Sequence, residues 1–162
     1  MDATHIHLLL NHIPILGSLF GVILLIIGLI IKNRTLEITA IATILLASVV
    51  TIPVYLSGEE AEHKVEEYSG VSEHELEEHE EHAELSLWLM VASGVMALLA
   101  LVAYQYAPHI VSKARIATLL ITILAFIILI PLANHGGKIM HQELRDAGGS
   151  DGHTLEHRYF KT

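Results

Sequence analysis

Cysteine is absent from this chain. That excludes disulfides, thiolate metal sites, iron–sulfur clusters and a covalently attached c-type haem. Basic residues are scarce: nine Lys and Arg stand against eighteen Asp and Glu, a formal net charge of −9. So acidic a balance leaves little to neutralise phosphates and argues against a nucleic-acid partner. Charge of either sign is thin, at 17% of 162 residues, where a soluble domain carries about 25%. Hydrolytic signatures are missing too: there is no Ser elbow, no phosphate loop and no H-E-x-x-H, so an independent enzyme is the less favoured reading. What the chain does have is an apolar majority of 52% and twelve histidines.

The apolar residues fall into four runs: Ile13 to Ile31, Leu36 to Leu56, Leu85 to Tyr106 and Ile116 to Ala133. Only Glu37, near the start of the second run, carries a charge. Each run approaches the ~20 residues that carry a helix across a ~30 Å hydrocarbon layer. Only a helix can satisfy its own backbone there. Helices of a soluble bundle would show a polar stripe, and these show none over whole turns. The fold class expected is all-α: an integral membrane four-helix bundle with a short acidic helical hairpin on the outer side. Its spans are expected at about 8–31, 36–57, 82–106 and 114–134, with an outer loop at 58–81, all in one domain over 1–148. Residues 149–162, which open on Gly, Ser and Asp, are expected to form a flexible outer tail. Positions 1–12 lack a basic n-region and no A-x-A-like site follows, so the first span is expected to be retained.

Lys32 and Arg34 follow span one, and Lys113 and Arg115 follow span three, against the single acid Glu37. The remaining five basic residues share the other side with seventeen acids. The positive-inside rule makes the two short basic loops cytoplasmic and both termini outer. The localisation expected is a bacterial cytoplasmic (inner) membrane, multi-pass, with both termini periplasmic. Eleven of the twelve histidines then lie outside, and only His109 inside.

The segment 57–84 carries twelve acids and two capping-box patterns, Ser57 with Glu60 and Ser72 with Glu75. They predict a short helix at about 58–68, a turn at Gly70 and a long helix from Glu73 into span three. In the spans, Gly17-x-x-x-Gly21 and the set Ala92, Ser93, Gly94, Ala97 and Ala100 favour close helix packing, with room for a flat cofactor between helices one and three as the second reading. Pro14, Pro53 and Pro131 sit at outward span ends, where they loosen backbone.

The histidines gather at those same ends. His12 opens span one in N-H-I-P, with His5 and His7 before it. His79 and His82, three apart, share a helix face leading into span three. His135 and His141 bracket Gly136-Gly137 beyond span four, and His63 follows span two. Three readings compete. Two imidazoles from facing helices hold a non-covalent b-type haem, His12 with His79 or His141 being the axial choice and Met140 an alternative ligand. His135 and His82 line the same rim, and Lys138 and Arg145 pair with the propionates. Alternatively, His and Glu hold a Zn, Cu or Fe ion, with Glu60, His63, His5 and His7 as donors. Glu60-x-x-His63 has the di-iron spacing, but His79-Glu80-Glu81-His82 supplies no second copy. Thirdly, the histidines are amphipathic interface residues of a structural subunit. Depth discriminates: haem ligands belong at least one turn inside the apolar span, whereas ion capture works in water.

T-H-I-H-L-L-L-N-H-I-P-I-L-G at 4–17, G-V-S-E-H-E-L-E-E-H-E-E at 70–81 and H-G-G-K-I-M-H-Q-E-L-R at 135–145 together resemble a family of small bacterial four-span membrane proteins. The resemblance covers nearly the whole chain. It implies this fold and topology but brings no settled activity. Some relatives are joined to c-type cytochrome modules, which implies respiratory electron transfer. His5, His7, His12, His79, His141, Glu143 and Arg145 match the family's motifs, whereas His82 and His135 belong to the pattern less clearly. The function expected is therefore electron transfer near the outer leaflet, with membrane lipid, quinol and an outer c-type cytochrome or further subunits as partners. A homo-oligomer is open.

Overall fold

A computed structural model describes the backbone of residues 10–65 and 73–140, and the side chains of 10–58 and 80–132. Four long helices account for nearly all of it: α1 (His12–Ile31), α2 (Arg34–Val65), α3 (Glu73–Tyr106) and α4 (Val111–Met140), with a 3-10 turn at Pro108–Ile110 before α4. All four are long and apolar enough to cross a membrane. No strand occurs among the described residues. His5, His7, His141 and Arg145, the turn expected at Gly70 and the tail 149–162 lie outside the described residues.

The short connections show why the chain turns where it does. Lys32 ends α1 in the left-handed region, φ 54, a conformation costing a non-glycine residue about 1–2 kcal/mol. Its N–H bonds the Gly28 carbonyl, and Asn33 N–H reaches the same oxygen at 2.9 Å. The Asn33 side chain then caps α2, accepting from Leu36 N–H at 3.0 Å. Between α3 and α4, Ala107 leaves the helical region (φ −141, ψ 64) ahead of Pro108, since a proline disfavours helical backbone in the residue before it.

The helices form an antiparallel ring. Neighbours along the chain pack closely, α4 closes the ring against α1 by a smaller interface, and α1 and α3 sit diagonally across it. The interior is small and polar, with Ala40, Ala47, Ala97, Ala100 and Ala125 beside Ser18, Ser48, Ser93, Thr118 and Thr122. Large apolar side chains such as Phe20, Ile30, Leu46 and Leu120 face outward. That distribution suits lipid, where close backbone approach drives association. Trp88 and Tyr106 are both exposed and lie eighteen residues apart on α3. At 1.5 Å per residue they are ~27 Å apart, the spacing of two aromatic belts.

Two expectations are resolved here. Gly17 and Gly21 face α2: a Cβ at Gly17 would lie 2.7 Å from the Ala47 Cβ, and one at Gly21 would overlap Ile44. Gly94 likewise abuts Ser48, its virtual Cβ 2.8 Å from the serine's. These glycines pack α1 and α3 against α2. The separate helix expected at 58–68 does not form; α2 runs unbroken from Arg34 through Pro53 to Val65. Ser57 does not cap: its hydroxyl bonds the Val54 carbonyl within the helix at 3.0 Å. Good helix formers (Glu59, Glu60, Ala61, Glu62) follow, so nothing stops the helix at the membrane edge. α3 is described from Glu73, and Ser72 of the second capping box lies outside the described residues.

Candidate functional site

The two ends of the bundle carry different chemistry. At the basic end Glu37, in the first turn of α2, is only 3% exposed. Its Oε2 accepts from Arg115 Nη1 on α4 at 2.6 Å and from the Tyr104 hydroxyl on α3. Gly28 on α1 makes the space: a Cβ there would stand 3.0 Å from Glu37 Cγ. One residue thus meets all four helices. Arg34 adds a second cation, donating from Nη2 to the Tyr104 carbonyl at 3.0 Å with its guanidinium 5.5 Å from that ring's centroid. Arg115 Nε is buried without a partner among the described residues. A carboxylate buried this deeply persists only when paired, and ionisable residues within spans are rare enough to be presumed functional.

Sequence reading took Glu37 as the lone acid of a basic loop and missed its role. The signal was present: it is the one charge inside any of the four apolar runs. What no pattern reveals is that Tyr104 and Arg115, far away in sequence, converge on it. Midway along the bundle, the buried Ser93 and Thr122 hydroxyls share a 2.5 Å hydrogen bond between α3 and α4.

The opposite end is the histidine rim. α1 starts there at His12, α3 enters through His79 and His82, and α2 and α4 leave through His63 and His135. His12 is exposed. The buried stripe of α1 (Pro14, Ser18, Gly21, Leu25, Gly28) extends instead to Asn11, whose Oδ1 is buried without a partner among the described residues. His82 is half-buried and engaged. It lies four residues before the buried Ser86, and His79 lies seven before it, so both continue the axis-facing register of α3.

On α4 the stripe Thr118, Thr122, Ala125, Leu129 extends by seven residues to Gly136, leaving His135 and Lys138 off it. Fourteen residues outward from the Ser93–Thr122 contact lie His79 on α3 and Gly136 on α4, at one level. Fifteen outward from the Gly94–Ser48 contact lie His79 and His63, although Glu60 and His63 fall off the buried stripe of α2. Depth follows from the helical rise. His82 lies three residues before Leu85 and His135 two beyond Ala133, ~4.5 and ~3 Å outside the apolar runs, and His79 and His63 lie ~9 and ~10.5 Å outside. No cluster of three or more metal-binding side chains occurs among the described residues, which exclude most of this rim.

No family model, curated protein or solved structure matches the chain.

Proposed function

We propose that this chain is a membrane-embedded b-type haem protein that transfers electrons near the outer leaflet, alone or as a subunit of a quinol-linked respiratory complex. The observation carrying this reading is the pairing of His79 and Gly136 at one level, each on the axis-facing register of its helix. A glycine at the register level of a histidine would leave the room a flat macrocycle needs. The donor set fits the group: His79 or His82 from α3, His12 or His141 as the second ligand, His135 nearby, and Lys138 and Arg145 for the propionates. The Asn11 Oδ1, buried without a partner among the described residues, fits a polar guest beside His12.

A bound haem supplies reversible one-electron chemistry at its iron. The chain's contribution is to hold the imidazoles on rigid helices and to carry an acidic outer surface that attracts a basic acceptor.

Depth favours a second reading. His82, His135, His79 and His63 all stand outside the apolar ends, where the Glu- and His-rich rim would capture a divalent Zn, Cu or Fe ion. His63, Glu60, His5 and His7 are its alternative donors. One preparation separates the two. Protein from haem-replete cells is expected to show a Soret band and, on reduction, sharp α and β bands, lost in His79→Ala or His82→Ala. A colourless preparation with stoichiometric metal supports the ion reading; neither signal leaves a structural subunit. Topology is tested on the cysteine-free chain: Lys32→Cys and Lys64→Cys should label from opposite sides of the membrane, Lys64→Cys from the periplasm.

A further inference from the structure

The basic end holds four cations, Lys32, Arg34, Lys113 and Arg115, against one carboxylate, Glu37. Both Tyr104 and Arg115 use the same Glu37 oxygen, so that carboxylate is committed inside the bundle. Lys32 and Lys113 are exposed and have no acid partner among the described residues. Most such residues in membrane proteins are loose, snorkelling chains. Here the two guanidiniums are held in place: Arg34 by the Tyr104 carbonyl and ring, Arg115 by Glu37. Arg34 spends one of its five N–H donors on that bond and remains exposed. Ile30 and Ile31, which precede Lys32 in the chain, and Ile116, which follows Arg115, present exposed apolar surface at this end of the bundle.

We propose that the fixed Arg34 guanidinium, with Lys32 and Lys113, forms a binding site for the phosphodiester headgroup of an anionic phospholipid, the Glu37–Arg115–Tyr104 cluster serving to position it. Pre-oriented donors recognise a phosphate oxygen without the ordering cost a free lysine carries. The exposed isoleucines accept the lipid's chains. A phospholipid is favoured over free phosphate because the site sits at the hydrocarbon boundary, where headgroups are already concentrated.

The test uses the full chain in neutral phosphatidylcholine-like detergent micelles, titrated with phosphatidylglycerol, with thermal unfolding followed by circular dichroism. A saturable rise in Tm is expected with phosphatidylglycerol and none with added phosphatidylcholine. Lys32→Gln/Lys113→Gln, which touches no packed contact, should weaken the apparent affinity about thirtyfold, the equivalent of two surface cations. Arg34→Gln should weaken it further, and Lys64→Gln at the opposite end should leave it unchanged. The proposal is overturned if the double lysine variant and Arg34→Gln keep the wild-type response, or if inorganic phosphate at equal concentration reproduces it.

Discussion

Arg115→Met isolates the buried carboxylate of Glu37. In wild type that group is 4% exposed at the side chain, while its Arg115 partner is 28% exposed. Removing the arginine leaves a nearly dry anion holding only the Tyr104 hydroxyl. Breaking a buried pair this way costs 3–5 kcal/mol, and the part-exposure of Arg115 places the expected loss at about 3 kcal/mol. Glu37→Met should cost less, about 2 kcal/mol, because an unpaired Arg115 can extend toward the headgroups. In Glu37→Met/Arg115→Met no charge is stranded, and the loss should fall to about 1–2 kcal/mol, set by the Tyr104 hydroxyl left without an acceptor. The assay is reversible unfolding in mixed micelles, read by far-ultraviolet circular dichroism. The reasoning fails if Arg115→Met costs under about 1 kcal/mol. It fails equally if the single losses add in the double variant to within about 0.5 kcal/mol, since coupled neighbours must not add.

The packing of α2 against α1 predicts that Gly17→Val lowers stability by about 1–3 kcal/mol, since the Ala47 Cβ cannot withdraw from 2.7 Å without moving a helix. Retained stability in the same micelle assay would contradict that contact. Ser93→Ala should cost only about 0.6 kcal/mol, the usual worth of a hydroxyl bond between spans, and a loss above about 2 kcal/mol would mean that the pair with Thr122 does more than tie α3 to α4. Trp88, the only tryptophan, is 62% exposed and lies three residues into the apolar run of α3, at its histidine-rich end. Its fluorescence should be quenched most by lipids brominated close to the carbonyls and least by those brominated at the acyl terminus. Equal quenching at all depths would remove it from the aromatic belt.

Much of the bundle was legible from composition alone. Four charge-poor runs of membrane length must be helices because lipid leaves no other way to satisfy a backbone, so fold class and span count needed no tertiary information. The continuous helix from the acidic segment into the third apolar run was legible for a similarly local reason, a stretch of good helix formers. The unbroken α2 was not: the pattern at Ser57 and Glu60 is a cap only where a helix would otherwise begin, and here the preceding span was already helical. At the rim, spacing showed that His79 and His82 share a face. It could not show that this face continues the buried stripe of α3, while His12 falls beside the stripe of α1.

The sequence by itself determined that the chain is a four-span helical protein with its basic residues at one end and its histidines at the other, because hydropathy and charge act residue by residue. The tertiary structure alone decided which residues meet. Gly17, Gly21 and Gly94 became seats for α2. Glu37, a single acid in an apolar run, became the point where four helices join, since Tyr104 and Arg115 reach it only after α3 and α4 have folded back antiparallel.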